Sequence, residues 1–221
     1  MFQSISRKRP ALNRFDLSHE KKLSCNMGDL IPILLNEVVP GDRFRVNSEI
    51  MLRFAPMLAP IMHRVNVWTH YFFVPNRIIW TEWEDFITGG EDGLSQPVHP
   101  YVRSQDMFSL GKGGNGSLAD YLGVPEITDN QITTNFNALP FRAYTEIFNE
   151  YYRDQNLDTA VTIQKTSGQV TDFDILNLQK RAWEKDYLTS ALPWAQRGDA
   201  VTIPNTVGYL SSSQVYSSTR S

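Results

Sequence analysis

"FRVNSEIMLRF", residues 44–54, alternates without a break. Phe44, Val46, Ser48, Ile50, Leu52 and Phe54 share one side of an extended chain. Arg43, Arg45, Asn47, Glu49, Met51 and Arg53 share the other. A period of two over this length predicts a β-strand with one buried face and one face turned to water or a partner. Two neighbouring stretches read the same way. "DLIPILLNEVVPGD", residues 29–42, is a strand candidate closed by a Pro-Gly-Asp turn. "HRVNVWTHYFFVP", residues 63–75, sets Val65, Val67, Thr69, Tyr71 and Phe73 against Asn66, Trp68, His70, Phe72 and Val74. Its first half is amphipathic and its second is apolar on both sides, as in a strand that leaves a sheet edge and becomes covered.

After Pro75 the period changes. "NRIIWTEWEDFITGG", residues 76–90, places Ile79, Trp83, Phe86 and Ile87 on one helical stripe, and the Gly-Gly pair stops it. "GKGGNGSLADYLGVP", residues 111–125, is a glycine-rich loop followed by a short helix capped by Ser117. "NALPFRAYTEIFNEYYRDQ", residues 137–155, carries Tyr144, Ile147, Phe148, Tyr151 and Tyr152 at helical spacing, with Pro140 in the first turn. A last helix is expected from Asp172 or Asp174 to just before Pro193, then a strand at "DAVTIP", residues 199–204. The Ser/Thr-rich segment 205–221 reads as an exposed loop. The expected class is mainly β with helical insertions. Three or four strands do not close a sheet, so the chain reads as the front part of a larger β domain.

The 221 residues are 41% hydrophobic and 20% charged, which allows a packed core. A net charge of −3 excludes a uniformly basic nucleic-acid binder, so polyanion contact must be local. The segment 1–24 supplies one such patch: Arg7, Lys8, Arg9, Arg14, Lys21 and Lys22 face only Asp16 and Glu20. It reads as a basic arm, either solvated or laid on phosphates. Cys25 stands alone, so no intrachain disulfide forms. No apolar run reaches the ~18 residues of a membrane span, and the N-terminus lacks the apolar segment of a secretory signal.

Motifs for chemistry are few. "GKGGNGS" lacks phosphate-loop spacing, because Lys112 is followed by glycine. His63 and His70 fall on opposite faces of one strand, roughly 20 Å apart, and do not chelate one metal together. Glu82, Glu84, Asp85, Glu91 and Asp92 cluster, and paired carboxylates are what a glycosidase needs. Glu82 and Glu84 do not share a helix face, however, and the group reads as the wet side of an amphipathic helix. No metal, cofactor or catalytic residue is expected.

Five blocks carry a resemblance: "FDLSHEKKLSCNMGDLIPILLNEVVPGDRFRV" (15–46), "APIMHRVNVWTHYFFVPNRIIWTEWEDFITGGEDG" (59–93), "SLADYLGVP" (117–125), "ALPFRAYTEIFNEYYRDQNL" (138–157) and "KRAWEKDYLTSALPWAQRG" (180–198). In this order they resemble the major capsid proteins of small single-stranded-DNA phages, the Microviridae, and most closely the gokushovirus branch. The resemblance implies an eight-stranded antiparallel jelly roll with long α-helical inter-strand loops, of which this chain holds the first strands. It implies a T=1 icosahedral shell around circular single-stranded DNA, assembled in the host cytoplasm. "DAVTIP" would be the fifth strand, and residues 204–221 would begin an insertion that projects at the threefold axes toward a host surface receptor. The domains would then be a basic arm (1–24), the capsid domain (25–203) and the start of that insertion (204–221). The family also carries small basic internal proteins, which would neutralise much of the DNA.

A capsid protein works by self-association, so apolar patches must meet copies of the chain. Met57, Met62, Trp68, Trp80 and Trp83 are the candidate contact residues, and Val65, Val67 and Tyr71 the candidate core. Arg7, Lys8, Arg9, Arg14, Lys21 and Lys22 are the candidate DNA contacts, with Arg103, Arg142 and Arg153 left open. The rival readings are a carbohydrate-binding β module and a glycosidase using Glu82, Glu84 and Asp85.

Overall fold

The described helices are short, and the core is assembled largely from loops and single turns. A computed structural model describes residues 13–60, 62–126 and 133–193. The described elements are α1 (Asn76–Ile79), α2 (Trp83–Thr88), β1 (Tyr101–Arg103), α3 (Ser104–Ser109), α4 (Leu118–Tyr121), β2 (Asn135–Asn137) and α5 (Leu139–Ile147). A π turn, Phe148–Tyr152, continues α5, and a 3-10 turn covers Phe173–Leu176. The chain divides into two units, Met1–Trp183 and Glu184–Ser221.

In the first unit β1 and β2 pair antiparallel, with Val102 opposite Phe136. Tyr101 is also bridged on its other side by the segment around Gln169: its N–H donates to Gly168 O (3.0 Å) and its carbonyl accepts from Val170 N (2.9 Å). Three short segments thus satisfy one another's backbone, as buried peptide groups must. Against them pack Met107 of α3, Leu118 and Ala119 of α4, Phe141 of α5, and Ile175 and Leu176. A smaller cluster joins Ile79, Trp80 and Leu139.

Local signals explain the ends of these elements. Gly89 closes α2 in the left-handed conformation at φ 84°, and its N–H donates to Asp85 O. The Ser117 hydroxyl accepts from Asp120 N at the start of α4. Pro140 sits in the first turn of α5, where no helical donor is needed. The stripe expected over 76–90 is split, because the chain turns at Trp80–Glu82 and Trp80 becomes buried. Ile87 ends up exposed. In α5 the buried face is Leu139, Phe141, Arg142, Thr145, Phe148 and Asn149, not the expected stripe from Tyr144 to Tyr152. The π turn shifts the register and swings Tyr151 outward.

The strand expectations are corrected. Among the described residues, 44–54 and 63–75 pair with no other strand, and of 29–42 only Asp29 makes a bridge, to Lys180. A strand is defined by its partner, and sequence alternation supplies only one half of the ladder. Val65, Val67 and Tyr71 are 40%, 50% and 53% exposed, so they are not core residues of this chain. The last helix is also corrected to the single 3-10 turn at Phe173–Leu176, whose first donor, Asp174 N, is capped by Asp172 Oδ1. Residues 177–183 then run extended, and Leu30 N donates to Gln179 O while Arg181 N donates to Gly28 O. "DAVTIP" and residues 204–221 lie outside the described residues.

The second unit is described over 184–193. There Asp186 Oδ1 accepts from Leu188 N and Thr189 N, both at 2.8 Å, closing a turn. Hydrogen bonds from Thr189 hold the Asp186 carboxyl below its ordinary pKa.

One polar side chain ties the first unit together. Arg142 is fully buried. Its Nη1 donates to Ile79 O (3.1 Å) at the end of α1, and its Nη2 donates to Thr166 O (2.9 Å). Burial pushes the guanidinium down to about 10, still protonated at neutral pH. Tyr144, one residue pair further along α5, donates its hydroxyl to Leu30 O and accepts from Gln179 N, both at 2.9 Å. Burial pushes its hydroxyl up to about 12.

Two outcomes are expected. Arg142→Ala leaves the carbonyls of Ile79 and Thr166 unpaired, at about 1–3 kcal/mol each, and Arg142→Lys recovers part of this in urea unfolding. Tyr144 keeps its proton in the fold to about pH 12 but loses it near its ordinary 10.0 when unfolded. Its contribution is therefore complete below pH 10 and is lost as pH rises through 12. Melting temperatures measured across that window should fall less steeply for Tyr144→Phe than for the parent chain.

Candidate assembly surface

The chain places its apolar residues very unevenly. From Phe44 to Phe73 the described residues form no helix and no paired strand, and nearly all are exposed. Met51 is 94% exposed, Met62 89% and Trp68 65%. Phe44, Val46, Ile50, Leu52 and Phe54, the regular side of the opening stretch, are each between 43% and 56% exposed. An apolar face of this extent marks a surface that packs against further polypeptide. Among the described residues its backbone joins no strand ladder, and such an edge recruits another strand.

The surface is anchored at its C-terminal end. Val74 packs on the cluster of Ile79, Trp80 and Leu139, so the extended chain enters the compact core there. Trp80 is 0% exposed. Its ring lies 4.9 Å from Phe86, 5.4 Å from His99 and 5.8 Å from Trp83, centroid to centroid. Its Nε1 donates to Ser167 Oγ (2.8 Å), and Ser167 in turn donates to the Glu82 carboxylate. Trp80 therefore works inside the chain and has no surface left for a neighbour. Trp83 is half-buried on the rim of the same box. Met57, Met62 and Trp68 stand on the exposed stretch.

The basic candidates separate as well. Arg7, Lys8 and Arg9 lie outside the described residues. Arg14 is exposed, and Lys22 pairs with Glu20 at 3.7 Å in full solvent, a contact worth little. Lys21 is spent on the fold: its Nζ donates to the carbonyls of Pro32 (3.0 Å) and Tyr121. Partial burial lowers its pKa, and Asp120 opposes that shift. Tyr121 OH donates to Ser24 O (2.7 Å), so residues 21–24 are pinned where a free arm was expected. Arg153 is occupied by the carbonyls of Asn149 and Asp158, whereas Arg103 is exposed.

The carboxylates expected of a glycosidase do not form a pair. Glu82 is engaged by Ser167, and Glu84 and Asp85 lie in the exposed first turn of α2. Among the described residues no group of three or more His, Cys, Asp and Glu side chains is placed to hold a metal. No described helix is long and apolar enough to cross a membrane. Sequence reasoning missed a different grouping: His70 Nδ1 lies 2.7 Å from Tyr152 OH, bringing the extended chain against the π turn. The run of aromatics at 68–73 and the double tyrosine at 151–152 were its signals, but nothing in their spacing joins residues 82 positions apart.

This sequence is similar to those of known proteins. Residues 2–219 match the family described as "Capsid protein (F protein)". The chain is 36% identical over 212 residues to capsid protein VP1 of Chlamydia phage 1, covering 88% of this chain and 35% of that protein. It is 37% identical over 192 residues to capsid protein VP1 of Bdellovibrio phage phiMH2K, covering 87% and 35%. Capsid protein VP1 of Spiroplasma virus 4 is 31% identical over 203 residues, covering 86% and 36%. The chain thus spans about a third of the length of these relatives. An apolar, largely unpartnered extended face on a small packed core, a match along nearly the whole chain and three VP1 relatives agree: the chain belongs to the capsid protein (F protein) family of the Microviridae.

Proposed function

We propose that this chain forms part of a major capsid protein that self-assembles into a T=1 icosahedral shell around circular single-stranded DNA. Its role is structural, and it performs no bond chemistry. The observation that carries the reading is the match of residues 2–219 to the capsid protein family, and the exposed face from Phe44 to Phe73 supports it. In a shell, this face completes its ladders as the first strands of an eight-stranded jelly roll, and its outer side chains meet neighbouring copies. Met57, Met62 and Trp68 are the contact residues, with Trp83 at the rim. Closed icosahedral symmetry repeats one heterologous contact around its axes, so a single apolar patch serves every subunit.

The remaining assignments follow from the family. Residues 1–24 form a basic arm, 25–203 the capsid domain, and 204–221 the start of a threefold projection that meets a host receptor. Arg7, Lys8, Arg9 and Arg14 lie toward the DNA, together with Lys22. A small basic internal protein supplies the rest of the counter-charge, in keeping with the chain's net charge of −3. The protein resides in the virion after assembly in the host cytoplasm. Neither rival reading has support, since a carbohydrate-binding module would work as a monomer and the carboxylates of α2 do not converge.

Gel filtration and negative-stain microscopy test the assembly. Species far above the 25.3 kDa of one chain are expected, and Met62→Asp with Trp68→Ser should shift them toward monomer. A stable, non-associating monomer at high concentration overturns the reading. For the arm, deletion of residues 1–14 should leave assembly intact and lower the DNA retained, as read by the ratio of absorbance at nucleic-acid and protein wavelengths. Unchanged DNA content refutes that role.

A further inference from the structure

The residues that meet at the π turn form a surface of their own. His70, Phe72, Tyr151 and Tyr152 contact one another mutually. Tyr151 and Tyr152 lie 4.9 Å apart between centroids, Phe72 and Tyr151 5.1 Å, His70 and Tyr151 5.4 Å, and His70 and Tyr152 5.8 Å. The hydrogen bond between His70 Nδ1 and Tyr152 OH, at 2.7 Å, locks the two elements in register. The cluster is ordered but not covered: Tyr151 is 59% exposed, Phe72 41%, and His70 is exposed. Polar edges remain available on the histidine and tyrosines.

Three further observations bear on what this surface receives. First, Tyr151 is presented by a π turn, Phe148–Tyr152, a geometry that is rare and concentrates at functional sites. Regular α-helix would have kept Tyr151 and Tyr152 in the stripe of Phe148. Second, a cation stands beside the cluster. Arg181 acts electrostatically on the Tyr152 hydroxyl and is exposed on the segment paired with Gly28–Leu30, where its neighbour Lys180 lies opposite Asp29. Glu150 is the one carboxylate in the turn itself. Third, His70 and Phe72 stand two residues apart with ring centroids 6.2 Å from each other. That is a stride which successive splayed bases can follow.

We propose that His70, Phe72, Tyr151 and Tyr152 form a stacking platform for unpaired nucleobases, with Arg181 receiving an adjoining phosphate. This rests on the reading of the chain as a protein that contacts single-stranded DNA, and it gives that contact a site apart from the basic arm. Aromatic faces accept any base, so the platform binds without sequence preference, as packaging a whole genome requires. With one cation at the site, the affinity falls only gently with salt, with a log–log slope of about −0.7. A second copy of the chain is the competing occupant; the exposed Arg181 beside the stacked rings offers the counter-charge that a phosphate needs, which favours the nucleic acid.

Fluorescence anisotropy decides it, using a labelled twelve-residue oligothymidylate and an abasic strand of equal charge. The chain should bind the thymidylate more tightly than the abasic strand. Tyr151→Ala should weaken thymidylate binding about 5- to 150-fold, the equivalent of 1–3 kcal/mol per stacked base, and leave abasic binding unchanged. Tyr151→Phe should retain parental affinity, and because Tyr151 is an exposed side chain, circular dichroism should show both variants folded. Equal binding of the two strands by the parent chain overturns the platform while leaving DNA contact standing. No binding of either strand overturns the DNA reading with it. Loss of self-association by Tyr151→Ala in the absence of DNA assigns the surface to a second copy and overturns the proposal.

Discussion

The first unit depends on one buried cation. Arg142 projects from α5 and holds two carbonyls from distant parts of the chain, Ile79 and Thr166. No carboxylate meets it among the described residues, and its Nε has no partner there. Such a charge is costly to bury, and its two carbonyl bonds offset only part of the cost. What it supplies is position. The end of α1, the middle of α5 and the loop before Val170 cannot move independently while the guanidinium fork stays filled. Trp80 rests on this arrangement, because its carbonyl neighbour Ile79 is one of the two held groups.

From that fixed point the extended chain leaves the core. Val74 is packed and Phe73 is 74% exposed, so the boundary between core and open face falls within two residues. The molecule therefore has two parts with opposite requirements. The compact part satisfies its own backbone through short ladders at Tyr101 and Gln179. The other part carries alternating apolar side chains whose backbone joins no strand ladder among the described residues, and burial against further polypeptide lowers its free energy.

The aromatic residues divide along the same line. Trp80 and Trp83 look alike in the sequence and both were candidates for contact. One is enclosed by Phe86, His99 and Ser167, and the other stands on the rim. Lys21 and Lys22 are adjacent, yet one cation is spent on two carbonyls and the other on an exposed pair with Glu20. Residue type did not separate these pairs, because each outcome depends on which distant backbone group lies within reach. The strands at Tyr101–Arg103 and Asn135–Asn137 were invisible for a related reason: three residues are too few to display a period.

What the sequence determined by itself was local. The Gly89 stop, the Ser117 cap and Pro140 in the first turn of α5 all follow from steric and hydrogen-bonding rules that act within a few residues. The long idiosyncratic blocks carried the family in the same direct way. Tertiary structure alone decided which apolar residues are core, where α5 gives way to a π turn, and that His70 meets Tyr152. Those outcomes are set by contacts between residues tens of positions apart, and long-range packing overrides a helical stripe or a strand pattern whenever the partner it needs lies elsewhere.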